Sequence, residues 1–231
     1  MTKLKKVQLP NEVLNEETIF KSLNVSDVLN EHFSITDLPQ GEIGTMADLP
    51  AATVVFDLSD SSLNIRNNGA KNFAAESQYL FKVLTDIIYR NHGIVEKFPG
   101  DGISMHFPAI GFGKEGAIQN SCEAIMQMDH FLFTNLEIGR NKYRFSLTYG
   151  EDTIITTFGS PKHLELISIG HAVNVAHKLE KIIKEKNCFL GMDSDCAEIA
   201  KQFFRHLSPS LMPEGLKKPD LNYEFWFGVE Y

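Results

Sequence analysis

Two aspartates are the residues whose type and position most clearly suggest chemistry. Asp57 directly follows an apolar run, and Asp101 lies in a Pro-Gly-Asp-Gly turn further along the chain. Paired carboxylates suit Mg²⁺ or Mn²⁺, which take oxygen ligands and leave room for phosphate. The residues after Asp57 are typical helix caps, and a helix start attracts anions. A metal–triphosphate site is one interpretation; a helix cap and a simple turn residue are the alternative.

The surrounding elements decide whether the two aspartates can meet. Residues 52–56 form a short β-branched run, typical of a buried strand. The apolar stretches 94–98 and 103–107 flank the turn that contains Asp101, which predicts a hairpin. If the hairpin pairs with the first strand, the strand end and the hairpin tip lie at one edge of the sheet. The remaining pattern predicts helices over about 69–91, 114–133, 170–186 and 194–204, and strands over 143–149, 153–158, 188–191 and 223–227.

The order β-α-β-β-α-β, followed by further strand and helix, indicates an α+β domain of the ferredoxin-like kind. Its central sheet is expected to be rich in antiparallel pairs, with the helices packed on one face. Residues 51–231 are predicted to form this domain. Residues 1–38 are polar with modest helical periodicity and form an extension, and residues 39–50 are interpreted as a linker because of their Pro and Gly content.

Composition excludes several classes of protein. The 231 residues are 43% hydrophobic, and 22 Lys and Arg against 30 Asp and Glu give a net charge of −8. An acidic chain is not expected to bind nucleic acid or a membrane surface broadly. The three cysteines form neither a disulfide framework nor a structural zinc motif, and no apolar run would span a membrane. A cytoplasmic location is therefore predicted.

Four segments together resemble the class III nucleotidyl cyclase domain, in that family's order and spacing. They are Val54-Val55-Phe56-Asp57, Lys97-Phe98-Pro99-Gly100-Asp101, Phe158-Gly159-Ser160 and the helix-forming run 169–180, which contains Gly-x-x-Val-Asn-x-Ala-x-Lys-Leu. The resemblance covers about residues 51–230. It implies a head-to-tail homodimer with active sites between the protomers and a nucleoside triphosphate as substrate.

The resemblance also implies roles for individual residues. Asp57 and Asp101 would hold two divalent cations, Mn²⁺ or Mg²⁺, with the main-chain carbonyl of Leu58 as a further ligand. The ribose 3′-hydroxyl would then attack the α-phosphorus in line and release pyrophosphate. The implied nucleotide-binding set is Phe56, Leu58, Ser59, Asp60, Ser61, Ser62, Lys97, Ile167 and, near the last strand, Lys218.

Asn174 and Lys178 are the catalytic residues that the resemblance implies, both from the partner protomer. They are four residues apart on one helix and so face the same way. Asn174 would orient the ribose. Lys178 stands where the family usually has an arginine for the pentavalent phosphorus, and lysine keeps the charge but loses the planar fork. The alternative for Lys178 is a solvated helix face.

The base pocket departs from the family's pattern. Lys97 matches a purine-reading lysine, but Ile167 replaces the usual Asp or Thr partner and has no acceptor for an adenine amino group. A compact domain with an altered pocket resembles the pyrimidine cyclases of bacterial Pycsar antiphage systems. That resemblance implies cUMP from UTP, or cCMP from CTP, as a second messenger that activates a companion effector.

Three alternatives remain from the sequence. An ordinary adenylate cyclase is favoured by the presence of Lys97. A diguanylate cyclase would need a Gly-Gly-(Asp/Glu)-Glu-Phe turn, which Pro99-Gly100-Asp101-Gly102-Ile103 lacks. A catalytically inactive nucleotide-binding or dimerisation module is favoured if Lys178 cannot replace the arginine, although Asp57, Asp101 and Asn174 argue against it.

Overall fold

The computed structural model describes residues 46–59, 69–160, 163–205, 207–211 and 224–228. The predictions for the extension 1–38 and for most of the linker lie outside these residues. Within them, the strands are β1 (Met46–Asp48), β2 (Ala51–Leu58), β3 (Ile94–Lys97), β4 (Gly102–Pro108), β5 (Tyr143–Gly150), β6 (Ile154–Ser160), β7 (His163–Ile169), β8 (Leu190–Asp193), β9 (Leu207–Leu211) and β10 (Glu224–Gly228). The α-helices are α1 (Ala70–Arg90), α2 (Gly113–His130), α3 (His171–Glu185) and α4 (Ser194–Ala200).

Among the described residues, the central sheet has seven strands in the order β3-β4-β2-β5-β8-β10-β9. Only β5 and β8 run parallel; every other neighbouring pair in this sheet is antiparallel. A second sheet, β1-β6-β7, is wholly antiparallel. The prediction of an α+β domain with an antiparallel-rich sheet is confirmed, and so is the hairpin beside the first strand.

The helices cover both faces of the central sheet. Along β2, Val54 and Phe56 belong to the main core with α1, α2 and α4. Thr53 and Val55, which alternate with them along the strand, lie on the opposite face, because successive strand residues point to opposite sides of a sheet. On that face Thr148 of β5 donates a hydrogen bond to the carbonyl of Ala172 at 2.9 Å. Helix α3 therefore packs opposite the other three, which corrects the prediction that the helices share one face.

Helix α3 has its own smaller core. Leu179 and Ile183 are buried against Phe225 and Phe227 of β10. The part of the sheet near β2 and β5 offers this helix mainly small polar side chains such as Thr53 and Thr148, both buried. A half-polar strand face does not look like a helix-packing face in the sequence, which explains the error.

Three strands were not expected from the sequence, among them β9, which pairs with β10, and one helix is shorter. Strand β1 lies inside the range interpreted as a linker and pairs with β6, and β7 pairs with β6 in turn. Strand β1 has only three residues and gives a weak strand signal, whereas the residues of β7 (HLELISI) alternate in the way typical of a strand, and the prediction missed them. Helix α4 ends at Ala200 rather than at residue 204. None of the helices in the described ranges has the length and apolar character needed to cross a membrane.

Candidate active site at the end of strand β2

Asp57 and Asp101 are brought together by strand pairing. Asp57 is the second-last residue of β2, and its register partner on β4 is Gly102. Asp101 immediately precedes Gly102, in the turn where the amide of Gly102 donates to the carbonyl of Pro99 at 3.2 Å. A Cβ on Gly102 would lie 2.5 Å from the carbonyl oxygen of Phe56, so only glycine allows the turn to approach β2 this closely.

The environment of Asp57 contains more acid than base. Arg144, its register partner on β5, forms an ion pair with it at 3.1 Å, and Glu180 of α3 forms one with the same arginine at 3.0 Å. Burial raises the pKa of Asp57, the charge of Glu180 raises it further, Arg144 lowers it and Asp101 raises it, to about 6. Two carboxylates thus share one arginine while a third, Asp101, acts on Asp57, and the site has capacity for additional positive charge.

The donor set at this edge fits a divalent cation. Asp57 and Asp101 supply carboxylate oxygens, which are the ligands that Mg²⁺ and Mn²⁺ prefer. In the described part of the chain no three acidic, cysteine or histidine side chains converge as a ready-made metal cage. Two protein carboxylates with phosphate oxygens completing the shell is the usual way in which Mg²⁺ is held beside a nucleotide. Binding would require Arg144 to give up part of its contact with Asp57.

Arg144 and Glu180 are site residues that the sequence reasoning missed. The Arg144 side chain is only 4% exposed, and its guanidinium also donates to the hydroxyl of Ser59. Glu180 could have been noticed in the sequence, because it is the last residue of the helix segment that carries the cyclase resemblance. Arg144 could not, because its position beside Asp57 depends on the β2–β5 register.

Asn174 and Lys178 lie on α3 but away from Asp57. Both are exposed, whereas Glu180 on the same helix reaches the site through Arg144. At about 100° per residue, Lys178 lies about 160° and Asn174 about 120° around the helix from Glu180. The two predicted catalytic residues therefore present a different face of α3 from the one that reaches Asp57 in the same protomer.

Lys97 and Ile167 are linked through a buried acid. Lys97 ends β3 with its side chain 45% exposed, and its ammonium lies 3.4 Å from the carboxylate of Glu96. Glu96 also accepts a hydrogen bond from the amide of Ser168, next to the half-buried Ile167 on β7, at 2.8 Å. The base-pocket candidates thus lie on adjoining strands of different sheets.

The other predicted site residues are placed as follows. Phe56 is fully buried and packs against Phe145 with ring centroids 5.2 Å apart, so its side chain faces the core. Leu58 is half-buried against the same core, and the amide of Ser59 donates to the carbonyl of Lys142 at 2.7 Å. Three predicted residues after β2, and one before β10, lie outside the described residues: Asp60, Ser61, Ser62 and Lys218.

No family model and no curated protein matches this sequence. Solved structures do match the fold. The adenylyl cyclase CyaB from P. aeruginosa aligns with 81% of this chain and 97% of its own, at 14% identity and a TM-score of 0.67. The guanylate cyclase domain of RhGC from Catenaria anguillulae, in complex with GTP, aligns with 80% of this chain and 99% of its own, at 16% identity and a TM-score of 0.61. The guanylyl cyclase Cya2 aligns with 82% of this chain and 95% of its own, at 17% identity and a TM-score of 0.59.

These likenesses define the class of fold. The chain has the fold of class III nucleotidyl cyclase catalytic domains. At identities below one in five they establish the architecture, and the activity has to be argued from the residues themselves.

Proposed function

We propose that the protein is a class III nucleotidyl cyclase that converts a nucleoside triphosphate to a 3′,5′-cyclic nucleotide and pyrophosphate. The observation that supports this most directly is the pairing of Asp57 with Gly102 across β2 and β4, which brings Asp57 beside Asp101 at an acid-rich strand end. The fold is that of proteins whose solved structures are described as adenylyl and guanylyl cyclases.

The chain's own residues divide the work. Two bound divalent cations would stabilise the triphosphate charge and the developing charge on the attacking 3′-oxygen. Asp57, Asp101 and the Leu58 carbonyl are proposed as their ligands. Arg144, which already contacts Asp57, is suited to balance charge at the same edge when metal and substrate arrive. Ser59, Asp60, Ser61, Ser62 and Lys218 remain predicted nucleotide contacts.

The active form is proposed to be a head-to-tail homodimer. Asn174 and Lys178 lie on a face of α3 turned away from Glu180 and Asp57, so a single protomer does not bring all four functional residues to one place. A partner protomer would have large apolar side chains to cover on the described surface, several of them exposed by about half. Among them are Phe98, beside Lys97, and Phe158 and Ile169 of the second sheet.

For the base, we propose a pyrimidine, with UTP preferred and CTP the other candidate. Ile167 offers an apolar side chain where an adenine would need a hydrogen-bond acceptor, and it narrows the space available to the base. By the resemblance to Pycsar cyclases, cUMP or cCMP would act as a second messenger in antiphage defence and activate an effector protein. A cytoplasmic location forms part of this proposal and agrees with the three free cysteines.

Two other functions have specific support. An adenylate cyclase is favoured by Lys97, whose side chain is exposed enough to reach a purine. An inactive nucleotide-binding or dimerisation module is favoured by Lys178, because lysine lacks the planar fork with which arginine would bind the transition state.

One assay separates the three functions. The purified protein is incubated with equimolar ATP, GTP, CTP and UTP and with Mn²⁺, and cyclic products are identified by mass. cUMP or cCMP as main product supports the pyrimidine proposal, whereas cAMP alone rejects it in favour of adenylate cyclase. Absence of any cyclic product rejects the enzyme and supports the binding module.

The matched controls are single substitutions. Asp57→Ala is expected to abolish product, and full activity of this variant would show that the metal assignment is wrong. Lys178→Ala is expected to lower kcat at least about tenfold, because it removes one charge-assisted contact to the transition state. Unchanged turnover would remove Lys178 from the mechanism.

A further inference from the structure

Glu96 occupies an irregular position in β3, directly before the base-pocket candidate Lys97. In the β3–β4 pairing, Val95 faces Met105 and Lys97 faces Ser104, so Glu96 is an extra residue in a β-bulge. A bulge changes the direction in which side chains point. Here it leaves Lys97 exposed and places the Glu96 side chain at 0% exposure.

The buried carboxylate of Glu96 is surrounded by donors from three strands. One oxygen accepts from the Ser104 hydroxyl at 2.8 Å and lies 3.3 Å from Nε2 of His106. The other accepts from the amide of Ser168 at 2.8 Å and lies 3.4 Å from the ammonium of Lys97. The ring of His106 is held in turn by Thr53, 3.1 Å from Nδ1.

This arrangement keeps Glu96 ionised despite its burial. Burial raises the pKa of Glu96, but the hydrogen bonds and charge from His106, Ser168 and Ser104 outweigh it and leave the pKa well below its ordinary value. A buried carboxylate with this many partners is a rigid charged group, because moving any partner would leave the charge unsatisfied.

The group joins parts of the molecule that the sequence keeps apart. Glu96 and Lys97 belong to the edge of the seven-stranded sheet, whereas Ser168 belongs to β7 of the three-stranded sheet. Ile167, the other base-pocket candidate, is the neighbour of Ser168. One carboxylate therefore fixes Lys97 and the backbone beside Ile167 in relation to each other.

We propose that Glu96 is a positioning residue that sets the base preference of the site by holding Lys97 and strand β7 in one fixed relation. The inference rests on the proposed nucleotide site, but it concerns selection between bases rather than the cyclisation step. Glu96 itself is too deeply buried to touch a base and acts through its neighbours.

The test compares base preference in binding between wild type and Glu96→Gln. The probes are the α,β-methylene triphosphates of adenosine, guanosine, cytidine and uridine, which cannot be cyclised, and affinities are measured by calorimetry with Mn²⁺. Glutamine keeps the size and can still accept from Ser168, but it loses the charge that holds Lys97. The ratio of Kd values between the best and the second-best base is expected to fall about tenfold, because the ion pair that holds Lys97 is lost.

Three further variants keep the test decisive. Ser104→Ala removes a single donor to Glu96 and should narrow the preference in the same direction by a smaller factor, about threefold; it decides the matter if Glu96→Gln does not fold. Asp129→Asn is the matched control, a fully buried acid that pairs with Arg140 at 2.9 Å. It should lower the melting temperature and leave base preference unchanged. In a Lys97→Met background, Glu96→Gln should have little further effect on preference.

The possible outcomes separate this inference from the proposed function. An unchanged Kd ratio in folded Glu96→Gln, an equal change in Asp129→Asn, full additivity with Lys97→Met, or a wild type without any base preference would each overturn it. A wild type that makes no cyclic nucleotide but shows a base preference lost in Glu96→Gln would reject the cyclase proposal and support the role of Glu96. If the wild type makes a cyclic nucleotide and Glu96→Gln keeps the same base preference, the cyclase proposal is supported and the role of Glu96 is rejected.

Discussion

Asp57 is the residue through which the proposed site lowers the stability of the metal-free protein. Its folded-state pKa of about 6 lies above the ordinary value of 3.8, with burial the largest cause and Glu180 the next. Folding therefore favours the protonated form. The stability that this group contributes is fully present below pH 3.8 and is lost as the pH rises through 6. In the metal-free protein at neutral pH, Asp57 is a source of instability.

Asp57→Asn should accordingly stabilise the metal-free protein while abolishing activity. Asparagine resembles the protonated acid and removes a negative charge that both Glu180 and Asp101 repel. At pH 7.5 in chelator, the melting temperature is expected to rise by at least about 2 °C, and the gain should shrink as the pH is lowered towards 5. The exposed Asp152→Asn is the control and should show neither effect. A loss of stability at pH 7.5 would contradict the assignment of excess negative charge.

Arg144 is the buried counterpart of these acids. Replacing it with methionine leaves Asp57 and Glu180 without their shared ion-pair partner, and breaking a buried pair in this way typically costs about 3 kcal/mol. The free energy of unfolding of Arg144→Met, measured in urea, should fall by roughly that amount, and less when Mn²⁺ is added. Lys114→Met breaks the exposed pair with Asp195 (2.7 Å) and should cost at most about 1 kcal/mol. Equal losses of unfolding free energy in the two variants would show that Arg144 does not neutralise buried negative charge.

Whether a site residue could be predicted from the sequence depends on whether a local pattern or the tertiary structure places it. Asp57 and Asp101 could be predicted as metal ligands because turn and strand-end patterns mark them and the cyclase resemblance includes them. Arg144 became visible only with the β2–β5 register, and Glu96 only with the bulge that turns its side chain inward. In sequence, Glu96 looks like an exposed acid beside an exposed lysine.

At the scale of elements, the β3–β4 hairpin determines how close Asp101 comes to Asp57. Gly102→Ala would place a methyl group 2.5 Å from the Phe56 carbonyl and force the hairpin away from β2. The Mn²⁺ concentration that gives half of the maximal thermal stabilisation should rise at least about tenfold, and stability should fall by about 1–3 kcal/mol.

Gly100→Ala tests the same turn without the clash. Its φ of 69° is unfavourable for alanine, at about 1–2 kcal/mol, but nothing lies within 4 Å of the added carbon. Stability should fall while the Mn²⁺ midpoint stays within about threefold of wild type. If both variants raise the Mn²⁺ midpoint equally, Gly102 is not needed to keep Asp101 close to Asp57.

Elements were predictable where local pattern and tertiary packing agree. The strand before Asp57, the hairpin and the helices over 70–90 and 171–185 have apolar periodicity that matches their burial. Strand β1 was not predictable, because its three residues are held by pairing with β6, whereas β7 has a strand-like alternation that the prediction missed. The face on which α3 packs was also unpredictable, since it depends on a sheet surface of small polar residues.

At the scale of the whole molecule, the net charge of −8 and the site pose one question: how an acidic chain binds a triphosphate. Long-range attraction cannot do it, because the overall field repels the substrate. The proposed answer is local, with cations at Asp57 and Asp101 and basic groups at Arg144 and Lys178. Lys178 faces away from Asp57 in its own protomer, and in the proposed homodimer the second copy of the chain would supply it.

This leads to a complementation prediction. Asp57→Ala and Asn174→Ala should each be inactive alone, but a heterodimer of the two has one site with both residues intact. Co-expressed at equal levels with different tags, they should recover about a quarter of wild-type activity, because half of the dimers are mixed and each has one of two sites restored. Asp57→Ala with Asp101→Ala is the matched control: both substitutions affect the metal-binding side, every site stays damaged, and no activity should return. Recovery in the control, or none in the first pair despite verified heterodimers, would show that Asn174 does not act across the dimer.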